Sequence, residues 1–168
     1  MTQIKAIETA YAGCKFRSRL EARWAVFFDA LPIKWRYEPE GFELPSGARY
    51  LPDFYLPQFN VWAEVKPFIP TEGRDHLKIQ EFVLSKPDTA ILILDDEPSY
   101  RLYGLIQAES AAGTWTSWTL LDIHMRPKWT RQGRLGGGYE FSEFNEPEHF
   151  TPEYEEAVIR SRSARFGV

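Results

Sequence analysis

Three charged side chains lie in two short apolar segments that are typical of neighbouring strands. Asp53 belongs to the segment YLPDFYL, and Glu64 and Lys66 belong to VWAEVKP. The four residues between the segments, 57–60, have a length common in hairpin loops. If Leu56 and Val61 flank this loop, Asp53 lies directly opposite Glu64. Because alternate residues of a strand share a face, Lys66 then projects on the same side as Glu64.

This spacing predicts a site for a divalent cation. Directly opposed residues have Cβ atoms about 4.5–5.5 Å apart, and two carboxylates at that distance repel each other unless a cation lies between them. Mg²⁺ suits the arrangement, since it takes one or two carboxylates together with waters and substrate phosphate. The backbone carbonyl of Val65 is a candidate further ligand. From its position along the strand, Lys66 is a candidate to orient or deprotonate an attacking water, or to stabilise charge on a phosphate.

Each half of the pattern has an ordinary explanation when it is taken alone. A Pro-Asp pair and a Glu-x-Lys pair are both common on protein surfaces. Here, however, the predicted register brings them together, and both lie within apolar and aromatic runs where solvated charges are less expected. The combination favours a functional site over a surface explanation.

Pro52-Asp53 followed by Glu64-Val65-Lys66 resembles the PD-(D/E)XK nuclease superfamily. Over about residues 11–95 the chain looks like small nuclease-like proteins of phages and other mobile elements. More distantly it is similar to Holliday-junction resolvases and to endonuclease subunits of transposons. The resemblance implies a metal-dependent endonuclease that hydrolyses DNA with a metal-activated water and leaves 5′-phosphate and 3′-hydroxyl ends.

The resemblance also implies roles for individual residues. Asp53 and Glu64 would bind Mg²⁺, with Mn²⁺ able to substitute, and Lys66 would assist hydrolysis. Glu21, in the segment RSRLEARW, would add a carboxylate from the first helix near the metal. An Arg17–Glu21 ion pair at i, i+4 explains that glutamate nearly as well.

Several functions remain open beside the general endonuclease. A junction resolvase would act as a homodimer, and a cutting subunit would act within a larger transposition or defence complex that processes DNA. A nucleic-acid-binding module that retains the fold without catalysis is a further alternative, although the complete set of Asp53, Glu64 and Lys66 argues against it.

The pattern of helices and strands that must position these residues predicts an α/β fold. Residues 16–31 show helical spacing of apolar side chains before Pro32, and the next strand, within 34–44, is interrupted near 39–41. A second helix is predicted over about 72–86 with Thr71 as its cap, and 90–95 reads as a strand covered on both faces. This order of elements predicts an α/β core with a mixed central sheet flanked by helices, and the resemblance implies that the core is restriction-endonuclease-like.

The whole chain, 1–168, is predicted to form a single domain, because domains commonly contain about 100–200 residues, and the resemblance implies that it is a nuclease domain. The core covers about 11–95 and a C-terminal extension covers about 96–168. Within the extension, 115–123 is predicted as a further strand or pair, and 151–166 as a terminal helix with Thr151 as cap and Pro152 at its first position.

The net charge of −4 does not by itself indicate a nucleic-acid binder, but basic residues are concentrated in two places. Residues 1–37 carry a net charge of +4, and 126–134 carry four basic residues, one Trp and no acid. Such side chains can hold a DNA strand by phosphate contacts and stacking, or can simply be solvated. The candidate DNA-binding residues are Arg17, Arg19, Lys78, Arg126, Lys128, Trp129, Arg131 and Arg134.

Other classes of protein are disfavoured. No run of about 20 apolar residues is present, which argues against a membrane partner. The N-terminal residues lack the apolar segment of a signal peptide, so a cytoplasmic location is expected. A single cysteine, Cys14, excludes an internal disulfide and a multi-cysteine zinc site.

Overall fold

A mixed six-stranded sheet organises the chain. The computed structural model describes residues 6–68, 70–86, 89–95, 98, 102–110, 113–121 and 152–166. The helices in these ranges are α1 (Arg19–Ala30), α2 (Gly73–Ser85) and α3 (Pro152–Ser163). The strands are β1 (Thr9–Tyr11), β2 (Cys14–Phe16), β3 (Arg36–Tyr37), β4 (Phe42–Glu43), β5 (Arg49–Tyr50), β6 (Phe54–Leu56), β7 (Val61–Lys66), β8 (Ala90–Asp95), β9 (Leu102–Ser110) and β10 (Gly113–Leu121).

The central sheet has the strand order β10-β9-β8-β7-β6-β3. Its only parallel pair among the described strands is β7 and β8, which α2 connects. The neighbouring pairs are antiparallel. The pairs β1–β2 and β4–β5 form two separate short hairpins. The sequence-based prediction of an α/β fold with a mixed sheet is therefore confirmed.

Each face of the sheet is covered by helices, and the alternation of side chains decides which residue faces which helix. Along β8, Ala90, Leu92 and Leu94 pack in the core that contains α1 and α3. Ile91 and Ile93 pack on the other side, in the core that contains α2. Burial on both faces explains why this strand is a continuous apolar run.

The core beneath α1 is rich in aromatic side chains. Trp24, Phe27 and Phe28 of the helix are fully buried, and Phe28 packs edge-on against Phe54 of β6 at a ring separation of 5.5 Å. Tyr154 joins this cluster from α3 through an edge-on contact with Phe27. This core holds β6, the strand that directly follows Asp53, rigidly against α1.

The core on the opposite face joins α2 to the β4–β5 hairpin. Phe82 of α2 contacts the rings of Phe42, Tyr50 and Trp62. These contacts hold β5 and α2 on the face toward which Glu64 and Lys66 project.

Most predicted boundaries agree with the structure, and one predicted cap is wrong. The helices predicted over 16–31 and 72–86 occur as α1 and α2, and Pro152 is the first residue of α3. Helix α2 begins at Gly73, so its cap position belongs to Glu72 rather than Thr71, and no side chain caps it. The other predicted cap, Thr151, lies outside the described residues.

Candidate active site

Strands β6 and β7 bring Asp53 and Glu64 together. Leu56 pairs with Val61 and Phe54 with Ala63, which is the register predicted from the loop length. Continued by one residue, this register sets Asp53 across from Glu64. Both side chains are buried, with 6% and 7% of their surface exposed. Two acids therefore meet where water is largely excluded.

The proximity and burial of the two acids change their acidity. Burial, followed by the charge of Glu64, raises the pKa of Asp53 to about 8. Burial also raises the pKa of Glu64, even though Lys66 and Tyr50 act in the opposite direction. Such shifts are expected when two carboxylates share a dry site. Each acid is thus destabilised in its charged form, and a nearby cation would relieve that cost.

Both oxygens of Asp53 accept hydrogen bonds from the protein. The backbone N–H of Val65 donates to Oδ2 at 2.7 Å, and Nη2 of Arg17 donates to Oδ1 at 3.1 Å. The same guanidinium also forms an ion pair with Glu38. Arg17 was predicted as a DNA-binding residue. In the structure its side chain is largely exposed to solvent, but its guanidinium contacts the carboxylate of Asp53.

Lys66 is held between two acids. Its Nζ lies 3.1 Å from Glu64 Oε1 and 2.9 Å from Asp75 Oδ2, in the first turn of α2. Burial of Lys66 disfavours the ammonium, but Glu64 and Asp75 outweigh it and raise the pKa of the lysine. Lys66 is therefore positively charged at neutral pH in this arrangement. Of the roles open from sequence, stabilising negative charge fits this state and accepting a proton from water does not.

Tyr50 of β5 orients the second acid. Its hydroxyl donates a hydrogen bond to Glu64 Oε2 at 3.1 Å. Burial, with the charge of Glu64, raises the pKa of Tyr50 well above its ordinary value, so the phenol remains a donor. One oxygen of Glu64 thus contacts Lys66 and the other contacts Tyr50, which fixes the carboxylate plane.

Glu21 lies in the same cleft but is engaged at the start of α1. Its carboxylate accepts from the Ser18 hydroxyl at 2.8 Å, from the Arg17 backbone N–H at 3.0 Å and from the Tyr37 hydroxyl. Ser18 in turn caps the helix by accepting from the Glu21 N–H. Glu21 is close enough to raise the pKa of Asp53. Its role as a metal ligand remains a prediction.

The alternative explanation of Glu21 by an Arg17–Glu21 ion pair is wrong. Arg17 contacts Glu21 through its backbone, while its guanidinium turns to Asp53 and Glu38. Residue 17 precedes the helix, so the i, i+4 geometry of a helical ion pair does not apply to it.

The site opens into a cleft of about 380 Å³. Its walls include Glu21, Asp53, Glu64, Lys66, Asp75 and Lys78. Lys78 donates from Nζ to the backbone carbonyl of Arg49 at 3.2 Å. Of the remaining predicted DNA-binding residues, Arg19 is exposed at the first position of α1. Arg126, Lys128, Trp129, Arg131 and Arg134 lie outside the described residues.

The described residues contain no group of three or more His, Cys, Asp or Glu side chains arranged to hold a metal ion. The donor set that does converge is the carboxylate pair of Asp53 and Glu64. Two carboxylates fit a single Mg²⁺ that keeps several waters, and do not fit a cation that needs a full set of protein ligands. Burial raises the pKa of both acids, and the charge of Glu64 raises that of Asp53 further, so a cation between them would stabilise their charged forms.

Three features of the site were missed from the sequence: Asp75, Tyr50 and the Arg17–Asp53 contact. Asp75 is nine residues beyond Lys66 in the helix that follows its strand, and an acid in a first helical turn is a common pattern. A Ser-x-x-Glu pattern at 18–21 was an available signal for the start of α1. Nothing in the local sequence indicates that Tyr50 contacts Glu64, because that contact depends on the packing of the β4–β5 hairpin.

The chain matches no protein-family model, no curated protein and no solved structure. Among the described residues, no helix has the length and apolar character needed to cross a membrane. The grounds for a function are therefore the motif and the geometry of the site.

Proposed function

We propose that the chain is a metal-dependent deoxyribonuclease with a restriction-endonuclease-like core, in which Asp53, Glu64 and Lys66 form the active centre. The observation that carries the proposal is the convergence of two buried acids and one charged lysine. Asp53 directly precedes β6, Glu64 lies on the neighbouring antiparallel strand β7, and the lysine lies one strand step beyond the second acid. Burying three ionisable side chains beside a cleft lowers the stability of the fold, which supports a functional reason for their presence.

Asp53 and Glu64 would hold a Mg²⁺ ion, with the Val65 carbonyl and Glu21 as candidate further donors. When bound, the ion would supply Lewis acidity and lower the pKa of water. The hydrogen bond from the Val65 N–H and that from Tyr50 keep the two carboxylates in fixed orientations before any ligand arrives. This preorganisation is what a phosphoryl-transfer site requires, since catalysis there is mostly positioning and electrostatic stabilisation.

Lys66 would stabilise the charge that develops on the phosphate. Its ammonium is charged, partly buried and paired with two acids. An ammonium in a water-poor cleft interacts with an oxyanion more strongly than one in bulk solvent. Lys66 would therefore act as a charged hydrogen-bond donor to the phosphate and would not abstract a proton from water.

The experiment uses a mixed panel of DNAs: supercoiled plasmid, linear duplex, single strand and four-way junction. Wild type, Asp53→Ala and Lys66→Ala are each assayed with Mg²⁺, with Mn²⁺ and with EDTA. Lys34→Ala, which removes an exposed lysine outside the cleft, is the matched control. We expect metal-dependent cutting by wild type and Lys34→Ala, and none by the two site variants. Circular dichroism checks that all four proteins are folded.

The pattern of results decides between the functions that the sequence left open. Preference for the four-way junction would favour a resolvase, and cutting of linear duplex and plasmid would favour a general endonuclease. Cleavage that survives in Asp53→Ala or Lys66→Ala would refute the assignment of the active centre. DNA binding without cleavage and without Mg²⁺ binding would favour a non-catalytic module.

A further inference from the structure

A second, larger groove lies beside the candidate active site, between the β4–β5 hairpin and the outer face of α2. Its volume is about 1160 Å³. Arg49 and Lys78 line both this groove and the cleft that contains Asp53 and Glu64. The two depressions are therefore neighbours that meet at these two basic side chains.

The groove carries more positive than negative charge. Its basic side chains are Arg49, Arg74 and Lys78, and its acid is Glu81. Both oxygens of Glu81 accept hydrogen bonds from Ser46, one from the backbone N–H and one from the hydroxyl. In the part of the chain that the structure describes, no carboxylate forms an ion pair with the exposed guanidinium of Arg49 or Arg74.

The position of Arg74 is unfavourable for the helix that carries it. Arg74 is the second residue of α2, where the positive end of the helix dipole disfavours a cation. The acid of the same turn, Asp75, is paired with Lys66 in the cleft. Helix stability therefore gives no reason for an arginine here, whereas an anionic ligand in the groove would contact the arginine and the helix end together.

The floor of the groove is apolar. Leu77 and Leu84 lie seven residues apart on one face of α2 and are 63% and 43% exposed, and Pro45 and Ala48 face them from the hairpin side. A basic rim over an apolar floor suits a polymer that has charged phosphates on one side and sugars and base faces on the other.

We infer that this groove binds the DNA strand that flanks the scissile phosphate, with its phosphates contacting Arg49, Arg74 and Lys78. The inference rests on the proposed nuclease function, because the position of the active centre determines the direction of the strand. The strand would run along α2 into the cleft. The length is adequate: the 13 residues of α2 span about 20 Å at 1.5 Å per residue. That distance equals about five to six nucleotides of one strand in duplex DNA, at about 3.4 Å per nucleotide.

The test measures DNA binding by fluorescence anisotropy in EDTA, so that no cleavage is needed. Labelled duplex and single-stranded DNA are titrated with wild type and with the double variant Arg49→Ala/Arg74→Ala. The control, Arg160→Ala/Arg165→Ala, removes the same charge from exposed residues near the C-terminal end of α3 that line neither the groove nor the cleft. We expect the groove variant to bind at least about 10-fold more weakly at low salt. The slope of the logarithm of the binding constant against the logarithm of the salt concentration should become shallower by about 2, roughly one for each lost phosphate contact.

The control should bind within about twofold of wild type with an unchanged salt slope. Equal weakening in the two double variants would overturn the inference, because it would reflect net charge alone. Absence of DNA binding by wild type would also overturn it, and would direct attention to a protein ligand for the apolar floor. Cleavage by Lys66→Ala is measured in a separate assay. A failure of the nuclease proposal can therefore be distinguished from a failure of the groove assignment.

Discussion

Nη2 of Arg17 donates a hydrogen bond to Oδ1 of Asp53 at 3.1 Å, across 36 positions of sequence. This guanidinium partly offsets the cost of a buried carboxylate and lowers the pKa of Asp53 against the stronger effects that raise it. A divalent ion at Asp53 would do the same with a larger charge. Arg17 and a metal ion bound at Asp53 would therefore compete for one carboxylate.

Replacing the arginine should strengthen the response to metal. We expect Arg17→Gln to show a larger rise in Tm on addition of Mg²⁺ than wild type, since the ion no longer displaces a protein cation. The measurement is thermal unfolding at pH 9, above the pKa of about 8 of Asp53, with and without Mg²⁺. Arg19→Gln, an exposed arginine two residues away, should respond as wild type does. An unchanged or smaller Mg²⁺ response in Arg17→Gln would show that the two cations do not compete.

The stability of the metal-free protein should fall as the pH rises. The pKa of Asp53 is about 8 in the folded protein and 3.8 in its ordinary state, so the folded state retains a proton that the unfolded state releases. The corresponding stabilisation is complete below about pH 4 and is lost as the pH rises through about 8. Glu64, whose pKa is also raised, acts in the same direction.

Denaturant unfolding in EDTA between pH 5 and 8.5 measures this effect. We expect the loss of unfolding free energy across the range to be smaller in Asp53→Asn than in wild type. The difference should exceed about 1.4 kcal/mol, the equivalent of one pKa unit. At pH 8.5 the variant should be the more stable protein without metal, and Mg²⁺ should reverse that order. Parallel pH profiles for the two proteins would contradict the paired-acid geometry.

Asp75 should act on catalysis through Lys66. Removing its charge with Asp75→Asn leaves the ammonium with Glu64 alone, which lowers the pKa of Lys66 and loosens its position. We expect a roughly 10-fold lower kcat and an upper pH limit of cleavage that moves to lower pH. The control is Glu72→Gln, an exposed acid that caps nothing although it precedes the same helix. A lower kcat with an unshifted pH profile would instead indicate a general structural effect.

The sequence was sufficient for the parts of the site that depend on local periodicity. A two-residue period and a four-residue loop determine which residues of β6 and β7 face each other, and the observed pairing of Leu56 with Val61 follows from them. The alternation also places Lys66 beside Glu64. The continuous apolar run at Ala90–Asp95 predicted a strand covered on both faces, and both cores contain its residues.

Other features depend on contacts between elements that are distant in sequence. Two of the donors to the acids are Tyr50 and Arg17. They reach the site because the β4–β5 hairpin packs on α2 and the chain before α1 lies beside β6. Strand β9 was not predicted, since its sequence mixes polar and apolar residues without a clear period. Hairpin β1–β2 was missed because three-residue strands carry little pattern.

Tyr50 provides a test of the second acid that leaves the charges of the site unchanged. Tyr50→Phe removes the hydroxyl that donates to Glu64 Oε2 and lowers the pKa of that acid. The pKa of Glu64 should therefore rise further, and a proton should compete more strongly with metal. We expect Mg²⁺ binding, measured by calorimetry, to weaken several-fold at pH 7 and to recover toward the wild-type value at pH 9.

The matched control is Tyr55→Phe, which removes an exposed hydroxyl that donates to Asn60. It should bind Mg²⁺ with wild-type affinity at both pH values. A loss of affinity in Tyr50→Phe that is equal at pH 7 and pH 9 would mean that the tyrosine only supports the local packing. A loss confined to the lower pH would assign the effect to the acidity of Glu64, and would thereby place the metal at that carboxylate.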